Sequence, residues 1–204
     1  MYKTLVNYIR AALFTLVLLG ASSTVLANTV LILGDSLSAA YGIDPKLGWV
    51  ELLKPQLPNT NIINGSISGE TTSGGLKRLP ELLAKHKPSL VVVELGANDG
   101  LRGQPLSLLM SNLTAIVDLS QTINAKVLLL EMHVPPNYGR RYSERFNQTF
   151  HIIAADKGVI VAPFFLDNVS TNPELIQADG LHPTAQAQAI ILENLLPHIK
   201  PLLN

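Results

Sequence analysis

From Asn28 onward, short apolar runs alternate with longer stretches in which apolar residues recur every three or four positions. Thr29–Leu33, Asn61–Asn64, Leu90–Leu95, Lys126–Met132 and Val159–Val161 are short, aliphatic or β-branched, and nearly continuous. Strands covered by helices on both faces read this way, because neither face meets water. Between them Trp49–Leu57, Thr72–His86, Leu106–Ile123, Ser143–Lys157 and Thr184–Ile199 have helical character. Leu106, Leu109, Met110, Leu113, Ile116 and Val117, for example, fall on one helical face. Five strand-plus-helix units predict a three-layer α/β domain with right-handed crossovers. The expected parallel sheet has five strands in the order 2-1-3-4-5. Ligands then bind at the carboxyl ends of the strands, where the order reverses.

Residues 1–27 follow another pattern. Lys3 and Arg10 are the only charges, an apolar run covers Ala11 to Gly20, and small residues lead to Val25–Leu26–Ala27. A positive start, a short apolar core and small residues before the junction are the marks of a secretory signal peptide cleaved after Ala27. The run is shorter than the ~20 apolar residues of a membrane span. The expectation is an exported domain of residues 28–204, periplasmic or secreted, with no stable membrane insertion.

Composition narrows the function. The chain has 204 residues, 15 basic and 15 acidic side chains and no cysteine. Balanced charge without a basic patch argues against a nucleic-acid binder. The missing cysteines exclude a disulfide framework, a thiol nucleophile and cysteine-ligated metal. No histidine or carboxylate cluster has metal spacing, so no metal or other cofactor is expected. A monomer acting on a small molecule is the remaining expectation.

The chemistry lies in four polar, glycine-containing segments. Three of them, Gly34–Ser38, Asn64–Thr71 and Gly96–Gly100, directly follow buried strands; the fourth, Asp179–Pro183, precedes the last helix. Serine hydrolysis needs a nucleophile, a base, a group that orients the base, and donors for the tetrahedral oxyanion. Ser36, on the turn after the first strand, is the candidate nucleophile, with Gly34 permitting a tight bend. His182 is the base, and Asp179 three residues earlier accepts its Nδ1–H and sets the tautomer. The backbone N–H groups of Ser36 and Gly69 and the side-chain amide of Asn98 are the oxyanion donors. Gly69 brings no Cβ into the oxyanion's space.

These segments resemble those of the SGNH, or GDSL-type, hydrolases, with Ser36, Gly69, Asn98 and His182 as the four signature residues and Asp179 completing the triad. Leu31–Tyr41, Ser66–Thr71, Glu94–Gly103 and Pro136–Tyr142 are more specifically similar to the bacterial periplasmic thioesterase I/lysophospholipase/arylesterase group. The resemblance implies a flavodoxin-like α/β/α fold, no metal, and hydrolysis of acyl esters, thioesters and lysophospholipids. Ala40 and Ala97 stand where many relatives would carry glycine.

Other polar residues read as structural. Asp35 and Asp99 suit turn formation and hydrogen-bond anchoring, and Glu94 and Glu131 suit buried networks at strand ends. His86, His151 and His198 read as ordinary surface or core residues, whereas His133 follows strand 4 and reaches the active rim. Leu101, Val134 and Pro135 are expected to wall an acyl chain, and glycines flanking Leu101–Arg102 give that loop the composition of a hinged lid. Two alternatives use the same residues: a sugar O-deacetylase and a non-catalytic periplasmic binding module. A sugar site would favour aromatic platforms, yet Trp49 is the only tryptophan. A binder would have no use for a full set of nucleophile, base, orienter and amide donor.

Overall fold

The computed structural model describes residues 28–204, so the segment read as a signal peptide lies outside the described residues. Five parallel strands form one sheet: β1 (Asn28–Gly34), β2 (Thr60–Asn64), β3 (Leu90–Glu94), β4 (Lys126–Leu130) and β5 (Ile160–Ala162). Their order is β2-β1-β3-β4-β5, as the alternation of runs predicts. Val30 to Leu33, Leu90 to Val93 and Leu128 to Leu130 are fully or almost fully buried, which explains their unbroken apolar character. The register sets Gly34 beside Glu94 at the carboxyl ends of β1 and β3. The segments that follow these two strands therefore emerge side by side.

Helices α1 (Trp49–Leu53), α2 (Thr72–His86), α3 (Ala97–Leu101), α4 (Leu106–Thr122), α5 (Arg140–Lys157) and α6 (Ala187–Ile199) complete the layers. α1 packs against α6, while α2, α4 and α5 form a second row. Right-handed crossovers on a 2-1-3-4-5 sheet produce this division, because the chain reverses direction across the sheet after β2.

The boundaries differ from the pattern where local chemistry intervenes. α1 gives way to a 3-10 turn at Lys54–Gln56, since Pro55 has no N–H for the carbonyl four residues back. α5 begins at Arg140 rather than Ser143, directly after Gly139 in a positive-φ conformation. α6 begins at Ala187 rather than Thr184. Pro183 bridges to Ile176, and the Thr184 N–H donates to the Leu175 carbonyl at 2.8 Å, holding this stretch extended. β4 stops at Leu130, and β5 lies one residue later than its apolar run suggests. The segment after β3, which reads as a loop, contains the short helix α3.

Candidate active site

Gly34 ends β1 in an extended conformation, so its absence of a side chain serves space rather than a bend. A Cβ here would lie 2.7 Å from Glu94 Oε2 and 2.8 Å from Ser66 Oγ. The chain then turns, with Asp35 Oδ1 accepting the Leu37 N–H at 3.0 Å, and Ser36 is left at the rim. His182 Nε2 lies 2.9 Å from Ser36 Oγ, across 146 residues of sequence. His182 Nδ1 lies 2.6 Å from Asp179 Oδ2. The other Asp179 oxygen accepts the backbone N–H groups of Leu181 and His182, at 2.9 and 3.0 Å. These donors hold the Asp179 carboxyl down at about 2, His182 N–H first. The carboxylate is thus ionised and aimed at Nδ1, an arrangement in which Nε2 is free to accept a proton from Ser36 Oγ.

Asn98 sits in α3 and donates from Nδ2 to Asp35 Oδ2 at 2.9 Å. Gly69 has φ +77°, and a Cβ there would make only an ordinary contact, 3.6 Å from Arg102 Nη2. Glycine is required there by backbone conformation rather than by crowding. Its carbonyl accepts Arg102 Nη2 at 2.8 Å. Within the described residues, no protein acceptor takes the backbone N–H of Ser36 or of Gly69. Ala97 has ordinary helical geometry, whereas Ala40 adopts φ +58°, the conformation in which glycine is favoured.

Ser36, Asn98 and His182 open onto a cleft of about 460 Å³. Leu101, Val134 and Pro135 line it together with Met132, Phe164 and Leu166. Its walls are therefore mainly aliphatic and aromatic, and the buried Trp49 has no part in them. The hinged-lid reading fails on geometry. Gly100 is buried inside α3, where a Cβ would clash with Val134 Cγ1. The Leu101 carbonyl is latched by Tyr138 Oη at 2.8 Å, and Arg102 is tied to Gly69. Leu101 is a wall residue on a fastened segment.

Several neighbours have contacts at the site that sequence reasoning does not assign. Tyr41 packs its ring 4.5 Å from that of His182. His133 lies flat on Phe164 at 3.9 Å and reaches Glu131 Oε1 at 2.8 Å, while His151 takes the other Glu131 oxygen at 3.0 Å. Only the position of His133 after β4 hinted at this; Phe164 and His151 join it through folding alone. Asp99 is buried and accepts the Thr72 N–H at 2.9 Å, anchoring α2 as a structural residue should. Among the described residues no group of histidine and carboxylate side chains has the arrangement of a metal site.

The model of the GDSL-like Lipase/Acylhydrolase family matches residues 32–190, a span that holds all four polar segments. The chain belongs to this family. Among its relatives, "Esterase TesA" of Pseudomonas aeruginosa is 48% identical over 87% of this chain and 90% of that protein. "Thioesterase 1/protease 1/lysophospholipase L1" of Escherichia coli is 42% identical over 87% of this chain and 86% of its own. The crystal structure of the psychrotrophic esterase EstA from Pseudoalteromonas sp., inhibited by monoethylphosphonate, superposes with a TM-score of 0.84. It is 46% identical, over 87% of this chain and 99% of that one.

Proposed function

We propose that this acyl-ester hydrolase works through Ser36, His182 and Asp179, with the N–H groups of Ser36 and Gly69 and the amide of Asn98 as its oxyanion hole. The observation that carries the reading is the unbroken relay from Asp179 through His182 to Ser36 at the mouth of an apolar cleft. Ser36 Oγ attacks the acyl carbon while His182 Nε2 takes its proton. The oxygen gains negative charge and is met by the three donors. His182 then passes the proton to the departing alcohol or thiol, leaving an acyl-serine. Water, deprotonated by the same Nε2, attacks the acyl-serine and releases the carboxylic acid.

An acyl chain lies in the cleft against Leu101, Val134 and Pro135, where each buried methylene contributes about 0.8 kcal/mol. Walls of this kind suit single-chain acyl esters, thioesters and lysophospholipids better than a sugar. With residues 1–27 as a signal peptide, the enzyme acts as a monomer outside the cytoplasm, on lysophospholipids or exogenous esters. A fluorophosphonate probe tests the nucleophile. Labelling mapped to Ser36 and abolished in Ser36→Ala is the expected result; labelling at another serine overturns the assignment. Hydrolysis rates across p-nitrophenyl esters, acyl thioesters and lysophosphatidyl lipids, for protein beginning at Asn28, rank the substrate classes.

A further inference from the structure

The two ends of the Asn98 amide have nearly the same shape, but only the NH₂ end can stabilise an oxyanion. A carbonyl turned toward the reacting oxygen would repel it. Asn98 is on a short helix, and its backbone does not determine which end faces the cleft. Asp35 Oδ2, 2.9 Å from Asn98 Nδ2, makes the choice, because an ionised carboxylate can only accept. One N–H of the amino group is held by Asp35, and the second, fixed in the amide plane, is left to serve the cleft that both residues line.

Asp35 is itself held from β3. Its backbone N–H donates to Glu94 Oε2 at 3.1 Å, and Ser38 Oγ donates to the same oxygen at 2.7 Å. Glu94 is fully buried, and its Oε1 has no protein partner among the described residues. We propose that Asp35 is a positioning residue that turns the donor end of Asn98 toward the oxyanion, and that Glu94 staples the nucleophile turn to β3 so that Asp35 can do so. This rests on the reading of Asn98 as an oxyanion donor.

The charge distribution agrees with the geometry. Burial, and then the charge of Asp35, push the Glu94 carboxyl well up. Burial raises Asp35 to about 6, opposed by the Leu37 N–H, Glu94, Asn98 and the nearby His182. Two buried carboxyls this close do not both ionise. The Leu37 N–H and the Asn98 amide favour the charge on Asp35, and complete burial favours the neutral form of Glu94, which leaves Asp35 as the acceptor that Asn98 needs.

A double-mutant cycle tests this, read as kcat and KM on p-nitrophenyl butyrate with thermal melts to verify folding. Asp35→Asn offers both a donor and an acceptor, so the Asn98 amide loses its bias. The expected result is a fall in kcat of about tenfold or more at unchanged KM, short of the ~10²–10³ for losing the donor altogether. In an Asn98→Ala background, Asp35→Asn should change kcat by less than about threefold, because its route of action is already gone. Multiplying losses in the double mutant overturn the proposal. Glu94→Leu should lower kcat, and Glu94→Gln, which mimics a neutral acid, should rescue it. Equal damage from both shows that a charge at Glu94 is needed and also overturns it. If Glu94→Leu does not fold, the Asp35–Asn98 cycle decides alone. Full activity of Asn98→Ala by itself would instead remove the oxyanion role of Asn98, and the proposal with it.

Discussion

Two aspartates flank the candidate nucleophile, and the molecule treats them in opposite ways. Asp179 has a side chain 38% exposed, in a loop that supplies two backbone N–H groups to one of its oxygens. Asp35 is 1% exposed, and its one backbone donor, Leu37, is outweighed by burial. The first carboxyl is held down to about 2 and the second pushed up to about 6. Donor count and solvent, not residue type, separate them. The partners also differ in range. Asp179 acts on a histidine three residues away, whereas Asp35 meets groups 59 and 63 residues away.

The sharpest way to break this comparison is to remove the charge of Asp179. Asp179→Asn should lower kcat by ~10⁴, the drop seen when a triad carboxylate becomes an amide and the histidine takes the wrong tautomer. Activity within tenfold of wild type would move the orienting role to another acid, with Asp35 the nearest candidate. Asn98→Ala should cost ~10²–10³ in kcat with KM little changed, since its donor acts on the transition state. A pure rise in KM would make Asn98 a substrate-positioning group only.

The same contrast gives a pH dependence of stability with two signs. Asp35 is raised in the fold, so the folded state binds its proton more tightly than the unfolded chain, and stability rises as pH falls from about 6 toward the ordinary carboxylate value of 3.8. Glu94, facing Asp35, acts in the same direction. Asp179 is lowered, so its contribution is present above 3.8 and fades as pH falls toward about 2. Solvent screening makes that second effect the smaller one. Melting temperature should therefore climb as pH falls from about 7 to about 4 and decline in stronger acid, where Asp179 takes up its proton. In Asp35→Asn the climb should be visibly shallower; an unchanged slope would mean that Asp35 does not carry it.

Smaller effects lie away from the two acids. Leu101→Ala and His133→Ala remove opposite kinds of wall, one aliphatic and one a flat ring on Phe164. Both should change rates for long-chain esters several-fold more than for acetates, because the proposed triad is untouched and only chain burial is lost. Identical chain-length profiles would place selectivity elsewhere in the cleft. Ala40→Gly relieves a left-handed alanine at φ +58° and should stabilise the fold by about 1 kcal/mol. That corresponds to roughly 2–4 °C in melting temperature. A lower melting temperature would show that the buried Ala40 methyl contributes more than its backbone costs.

What depends on local pattern was legible in the sequence. Buried strands had to be continuous apolar runs, so Leu31–Leu33 and Val91–Val93 declared a sheet covered on both faces. Strand order and crossover hand then placed three of the four polar segments on one rim. Asp179 and His182 were legible as a pair because three residues is the reach of one turn. Tertiary structure decided what depends on which distant side chains meet. Pro183 pairing with Ile176 delayed α6, and Val134 closing on Gly100 turned an apparent hinge into a packed helix. Asp35 read as a turn-former and hydrogen-bond anchor without named partners, because Glu94 and Asn98 arrive from the neighbouring strand and the helix after it. Local propensity is written residue by residue, while burial and the charge it displaces exist only after the sheet has brought β1 and β3 together.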